Sequence, residues 1–260
     1  MSSPAKIFAV LLAVAAVIAI GVWVWLASGA SDEPTTAERA PTPAPSPSPT
    51  PTLAERLSGR LAGTTVSTSD AVIRQLVVEL SSRPELVSWL AHADLVRRFV
   101  AAVDNVANGI SPTNQLDFLR PKKGFRVTEM GDELFIDPAS YARYDTITQV
   151  FVSLDTEGMV ALYRELEPLM DDAYAEISPP GSRFGDRLDA AIDHLLAVKP
   201  PTRPVAVERK VVTYVYADES LEQLSGAQRQ LLRMGPDNVL LIKAKLRDLK
   251  AALAAERSEE

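Results

Sequence analysis

The sequence predicts a mainly α-helical protein with a small antiparallel β element, an α+β fold, whose soluble body follows an N-terminal transmembrane helix. Three observations predict this class. Residues 7–26 are an unbroken apolar run, most later segments repeat apolar side chains at helical spacing, and the stretch around Gly131 alternates like two short strands. We therefore divide the chain into a tail (1–6), a transmembrane helix (7–26), a linker (27–52) and a body (53–260).

The apolar run has the length of a membrane span. A helix of 20 residues rises about 30 Å, which matches the hydrocarbon core of a bilayer. Lys6 precedes the run and acidic residues follow it, so the positive-inside rule places the tail in the cytoplasm and the body across the membrane. A cleaved signal peptide is the alternative, because residues 28–30 are small. The length of the run, with Trp23 and Trp25 at its far end, favours a retained anchor.

The linker and the composition narrow the classes of function. Every second residue from Pro41 to Pro51 is proline, which predicts an extended polyproline II spacer between membrane and body. The chain has 27 Lys and Arg against 34 Asp and Glu, a net charge of −7, which argues against a nucleic-acid partner. It has no cysteine, which excludes disulfides and a cysteine-linked lipid anchor.

The elements of the body follow from its periodicity. Two runs on either side of Gly131 predict a hairpin, and the extended stretch 205–216 could pair with it, since a lone hairpin is marginally stable. Whether the body is one domain or two stays open. The predicted helices cover, in order, 70–80, 84–90, 95–106, 138–154, 156–177, 184–198 and a final region interrupted at Gly235-Pro236.

The last helix has the most regular pattern in the chain. Its apolar residues alternate steps of three and four, as in a heptad seam. This seam could join two copies of the chain in a homo-oligomer or pack on its own body. The run covers about two and a half heptads, fewer than a coiled coil needs, which favours packing on the body. The seam residues are Val239, Ile242, Leu246, Leu249 and Leu253.

A group of polar residues, here called the polar cluster, lies on the helix after residue 183. It comprises Arg183, Asp186, Arg187, Asp189, Asp193 and His194. The three carboxylates fall at i, i+3 and i+7 and so share one helix face, the kind of ligand set that Mg²⁺ or Ca²⁺ takes. The alternative is a solvated face balanced by the two arginines. No motif string accompanies the cluster, so we assign it no catalytic residue, metal or cofactor, and we expect His194 to hydrogen-bond at a helix junction.

A second candidate group follows the predicted hairpin. It comprises Tyr141, Arg143, Tyr144 and Asp145. If these side chains are exposed, they are of the types that anchor protein interfaces. If the tyrosines are buried, they belong to the core and hydrogen-bond through their hydroxyls. Both alternatives stay open, although burial is the one that a helical body favours.

Several local strings of the body carry a resemblance. The strings are Leu-Val-Arg-Arg-Phe-Val at 95–100, Val-Asp-Asn at 103–105, Tyr-Ala-Arg-Tyr-Asp at 141–145, Ala-Leu-Tyr at 161–163, Asp-Arg-Leu at 186–188, Ile-Asp-His-Leu-Leu at 192–196 and Leu-Leu-Arg-Met-Gly-Pro at 231–236. Together they resemble a known bacterial family, the one called domain of unknown function 3014. The resemblance spans roughly residues 65 to 254 and implies an N-terminal membrane anchor with a proline-rich linker, and no activity.

Two functions are compatible with these observations. The first is a single-pass protein of the bacterial inner membrane whose periplasmic body binds another envelope protein or the cell wall. The second is a metal-dependent periplasmic hydrolase or transferase that uses the face formed by Asp186, Asp189 and Asp193. The absence of any recognised catalytic string favours the first, non-enzymatic function.

Overall fold

A computed structural model describes residues 59–80 and 84–259 of the protein. The predicted tail, transmembrane helix and linker lie outside the described residues. Within the described ranges, no helix is long and apolar enough to cross a membrane. The helices are α1 (Asp70–Leu80), α2 (Pro84–Trp89), α3 (Leu95–Ala107), α4 (Pro138–Tyr141), α5 (Asp145–Val152), α6 (Thr156–Ala175), α7 (Phe184–Leu196), α8 (Glu219–Glu222), α9 (Gly226–Leu232) and α10 (Pro236–Glu259), with short 3-10 turns at Val66–Thr68, Asp117–Leu119 and Ala142–Tyr144.

Several helices begin at a residue whose side chain caps the helix. The Asp137 carboxylate accepts a hydrogen bond from the Ala139 N–H, and Pro138 opens α4 at the position where a missing N–H costs nothing. Asp155 caps α6 by accepting from the Gly158 N–H. Ser225 caps α9 in a capping box with Gln228. Side-chain oxygens therefore satisfy backbone donors that a helix start leaves without partners.

Four β-strands form one antiparallel sheet, so the α+β class is confirmed for the described body. The strands are β1 (Val127–Met130), β2 (Glu133–Ile136), β3 (Ala206–Lys210) and β4 (Thr213–Tyr216), in the order β1-β2-β3-β4. The predicted first hairpin is confirmed. The later extended stretch is itself a hairpin, and it joins the first through the pairs Leu134–Val207 and Phe135–Ala206. This pairing provides the extra strands that a lone hairpin needs.

The register brings both hairpin turns to the same end of the sheet. Because β2 leaves its turn at Glu133 and runs antiparallel to β3, residues 131–132 lie beside the end of β3 that leads into residues 211–212. Val211 is fully exposed and Val212 is 64% exposed. We call Met130, Val211 and Val212 the sheet tip. Apolar side chains are thus exposed to solvent at a hairpin turn, where burial in the core does not require them.

The last helix packs along the body. All five residues of its heptad-like seam are buried, and α10 contacts α5, α6 and α7. The helical structure is interrupted at Gly235, between the end of α9 and the start of α10. The seam is therefore used inside the protein, as its short length favours.

Two buried lysines strengthen the packing of α10. The Lys243 ammonium donates to the Val198 carbonyl just beyond α7, and the Lys245 ammonium donates to the Leu154 carbonyl just beyond α5. Lys245 also donates to the Thr156 hydroxyl at 2.9 Å. Carbonyls at helix ends lack backbone partners and carry partial negative charge, so a cation there is favourable. Desolvation lowers the pKa of both lysines below that of free lysine.

Candidate functional site

Two carboxylates of the polar cluster join α7 to α10. The Asp189 carboxylate accepts hydrogen bonds from both terminal nitrogens of the Arg257 guanidinium, at 2.7 and 3.0 Å. Asp193 pairs with the Lys250 ammonium. The bond to Asp189 raises the pKa of Arg257. The cations that balance this acidic face thus come from α10, and neither carboxylate faces a second acidic residue in these bonds.

The arginine within the cluster also has a structural partner. The Arg187 guanidinium donates to the Asp104 carboxylate of α3 at 2.6 Å, and both side chains are about one quarter exposed. The rings of Phe99 of α3 and Phe184 of α7 meet edge to face with centroids 5.6 Å apart. A partly desolvated ion pair and an aromatic contact therefore both join α7 to α3.

The remaining cluster residues border a small cavity. Arg183 and Asp186 are exposed and line a space of about 120 Å³ between α6, α7 and α10. Tyr163 and Glu167 of α6 form its other side, with the Tyr163 hydroxyl 3.4 Å from the Glu167 carboxylate. Burial raises the pKa of Tyr163. Across residues 59–80 and 84–259, no group of three or more His, Cys, Asp and Glu could hold a metal ion.

His194 and Ser225 form the one pair in the cluster region that resembles catalytic chemistry. The His194 Nε2 lies 2.7 Å from the Ser225 Oγ. The same Oγ accepts a hydrogen bond from the Gln228 N–H, and the Gln228 amide donates to the His194 carbonyl. Burial lowers the pKa of His194. The pair fastens the C-terminal end of α7 to the start of α9, which is the helix-junction bond expected of His194, and the neighbouring Asp193 is engaged by Lys250.

The second candidate group is largely part of the core. Tyr144 is only 2% exposed, and burial raises its pKa although Arg143 opposes the shift. Tyr141 is half-buried, with its pKa raised to about 12 by burial. Asp145 is exposed and accepts a hydrogen bond from the Asn238 amide at 3.0 Å. Tyr144 is thus buried, Tyr141 is only partly so, and an interface role for this group stays a prediction.

Comparison with known proteins identifies the family. The family model described as protein of unknown function (DUF3014) matches residues 95–250. The chain belongs to this family. The comparisons with curated proteins and with solved structures found no match.

The strings quoted above lie within the matched range, and the fold of this DUF3014 chain brings them together in pairs. The string at 141–145 meets the string at 231–236, because the Tyr141 ring lies against Gly235. The string at 103–105 meets the string at 186–188 through the Asp104–Arg187 ion pair. These contacts give four of the strings a structural role in this chain.

A second, larger cavity of the DUF3014 body lies beside the start of β1 and was missed by the sequence analysis. This cleft has a volume of about 390 Å³ and is formed by the loop before β1 together with α4 and the turn after it. Its signal in the sequence is the string Pro-Lys-Lys-Gly at 121–124. The cleft is lined by Pro121, Lys122, Lys123, Gly124, Arg126, Ala139, Ala142, Arg143 and Thr146.

Proposed function

We propose that this DUF3014 protein is a single-pass component of the bacterial inner membrane, with its N-terminus in the cytoplasm, that acts by binding another envelope protein in the periplasm. The apolar run and the proline-rich linker of the sequence support the anchored arrangement. The protein on this proposal is an adaptor and not an enzyme.

One observation carries the non-enzymatic part of the proposal. The polar groups most suited to chemistry are engaged in bonds between helices: Asp189 with Arg257, Asp193 with Lys250, and His194 with Ser225. A catalytic group must reach a substrate atom, whereas both Asp189 oxygens, one Asp193 oxygen and the His194 Nε2 form bonds that join one helix to another. Their arrangement favours structural roles.

The sheet tip supports the interaction part. Hairpin turns are usually built from Gly, Asn or Asp, because those residues accept the backbone conformations of the turn. Val211 and Val212 occupy the second turn instead, and both are exposed. Met130, at the neighbouring turn, is 47% exposed. These exposed apolar side chains lie at the same end of the sheet, and covering them with a partner protein would lower the free energy by removing them from water.

The experiment is site-specific photo-crosslinking of the full-length protein in cells of the bacterium that makes it. A photoreactive amino acid replaces Val211 in one strain, Val212 in a second and Val87 in a third. Val87 is 48% exposed on α2 and is the matched apolar control. We expect positions 211 and 212 to give an adduct with the same single protein, and position 87 not to give it.

A second arm tests whether the tip itself drives the contact. Val212→Asp in the strain that carries the photoreactive residue at 211 should abolish the adduct, because a carboxylate would have to be desolvated at the interface. The same adduct from all three positions, or no adduct from 211 and 212, would contradict the proposal.

A further inference from the structure

The cleft beside β1 carries a charge opposite to that of the chain. The protein has a net charge of −7, yet the charged residues that line the cleft are all cations: Lys122, Lys123, Arg126 and Arg143. Arg126 also pairs with Asp137, whose carboxylate lies 3.3 Å from its guanidinium. Because no acidic residue of the described ranges lines the cleft itself, the cleft favours an anion.

The guanidinium of Arg143 is held in one position. Its Nε donates to the Ser140 carbonyl at 2.8 Å, and its Nη1 donates to the Lys123 carbonyl at 3.0 Å. The group also lies over the rings of Phe125 and Tyr144, with centroid distances of 5.7 and 5.5 Å. This cation needs little reordering when a ligand binds.

The loop that carries the other cations is bonded to α4 and to the 3-10 turn after it. The side chain of Ser140 is fully buried, and its hydroxyl bonds to both the N–H and the carbonyl of Arg126, each at 2.8 Å. Together with the bond from Arg143 to Lys123, this holds the loop against α4 and the 3-10 turn after it. The cleft is therefore a preformed feature of the fold.

The rest of the lining is apolar or weakly polar. Pro121, Ala139 and Ala142 supply apolar surface between the charged groups, and Thr146 supplies a hydroxyl. The cavity of about 390 Å³ lies within the range of about 300 to 1,000 Å³ in which proteins hold small ligands. It has room for a charged group and for a short carbon body attached to it.

We propose that this cleft binds an organic phosphate. A phosphate suits several cations better than a single carboxylate does, because it offers more oxygens and more negative charge to arginine and lysine donors. The apolar lining then contacts the carbon body of the ligand. A soluble phosphate ester and the headgroup of an anionic phospholipid share this chemistry. The proposal does not depend on the adaptor function.

The first test is calorimetric titration of the full-length protein, in a neutral detergent, with inorganic phosphate and then with glycerol 3-phosphate. The double variant Lys122→Gln/Lys123→Gln removes two exposed cations of the cleft. The matched control, Lys199→Gln/Arg203→Gln, removes two exposed cations outside it. We expect saturable binding that the cleft variant weakens on the order of tenfold or more, because each charge-assisted bond contributes substantially.

The control variant should bind both probes within about twofold of the unchanged protein, since general charge effects are small and screened by salt. Equal weakening in the two double variants, or no saturable binding by the unchanged protein at millimolar phosphate, would overturn the proposal. Unchanged thermal unfolding midpoints of the variants show that they are folded.

The source of the phosphate is decided by a second arm in nanodiscs. The protein is embedded in phosphatidylcholine alone or with phosphatidylglycerol, and both are titrated with glycerol 3-phosphate. If glycerol 3-phosphate binds more weakly in the nanodiscs that contain phosphatidylglycerol, the lipid headgroup is supported as the ligand, because the lipid then occupies the cleft. Equal binding in both supports a soluble phosphate ester.

Discussion

The ring of Tyr141 lies against the backbone of Gly235. A Cβ atom on residue 235 would be 2.5 Å from the Tyr141 Cγ and 2.6 Å from its Cβ. Residue 235 also has a φ of +92°, a conformation that favours glycine. Because the Cβ of Tyr141 is itself in the way, rotating the ring does not make room. The link between α9 and α10 thus depends on one residue without a side chain.

The first prediction follows from this contact. Gly235→Ala should lower the free energy of unfolding by about 2 to 4 kcal/mol, from backbone strain and from displacement of Tyr141 together. Urea unfolding of the full-length protein in detergent, followed by circular dichroism, measures the change.

The matched control for this variant is Gly181→Ala. Gly181 has a similar φ of +83°, but a Cβ there meets nothing within 4 Å. It should cost only the backbone strain, about 1 to 2 kcal/mol. Equal losses from the two variants would show that the Tyr141 contact contributes nothing.

The second prediction concerns pH. Burial lowers the pKa of His194 in the folded protein, so the unfolded chain takes up its proton first as the pH falls. This contribution to stability is full above the unfolded pKa of about 6.5 and decreases as the pH falls from there towards the folded pKa. Urea midpoints at about pH 7.5 and pH 5.5 should therefore differ, with lower stability in acid.

Two variants assign this acid sensitivity. His194→Gln should reduce the difference between the two urea midpoints, whereas a replacement of the other histidine, His92→Gln, should leave the His194 contribution in place. His92 is not part of the α7–α9 junction; its ring stacks instead on Phe118. An unaltered pH difference in His194→Gln would contradict the assignment.

The helices of the body were predictable because their signals are local. The stripe of α3 and the cap before α4 are each set within one segment of chain, and they recur in the structure. The second hairpin was predicted only as an extended stretch, since Val211-Val212 lacks the residues that usually mark a turn.

The residues that pair with the polar cluster could not be predicted from the sequence, for a different reason. Spacing along α7 places Asp189 and Asp193 on one face, but the cations that meet them are on α10, and Arg257 is 68 residues from Asp189. Which helix faces meet is decided by packing of the whole core. The cleft was missed for the same reason, because Arg143 joins Lys122 and Lys123 only in the folded chain.

The third prediction tests the structural role of the acidic face. Asp189 and Arg257 are 29% and 50% exposed, so water screens their ion pair. A double-mutant cycle with Asp189→Asn and Arg257→Gln should give a coupling free energy below about 1 kcal/mol. Thermal or urea unfolding of the four proteins measures it.

Variants of the acidic face also test the enzymatic alternative. Titration of the full-length protein with Mg²⁺, Ca²⁺ or Mn²⁺ should give no saturable binding at millimolar metal. Binding that disappears in Asp186→Asn or Asp189→Asn would contradict a purely structural role and favour the metal-dependent hydrolase or transferase.

The last prediction concerns the topology of the chain, and it uses the fact that the protein contains no cysteine. A single cysteine placed by Lys210→Cys on the exposed end of β3 becomes the only thiol that a maleimide can label. A second variant, Ser3→Cys, places the thiol in the tail before the apolar run. If residues 7–26 span the inner membrane with the tail in the cytoplasm, a membrane-impermeant maleimide added to intact cells should label position 210 and not position 3. Labelling of both positions after the cells are broken shows that both thiols can react. Labelling of position 3 alone in intact cells would show that the chain has the opposite orientation in the membrane. Release of the labelled body from washed membranes would indicate that the anchor is cleaved.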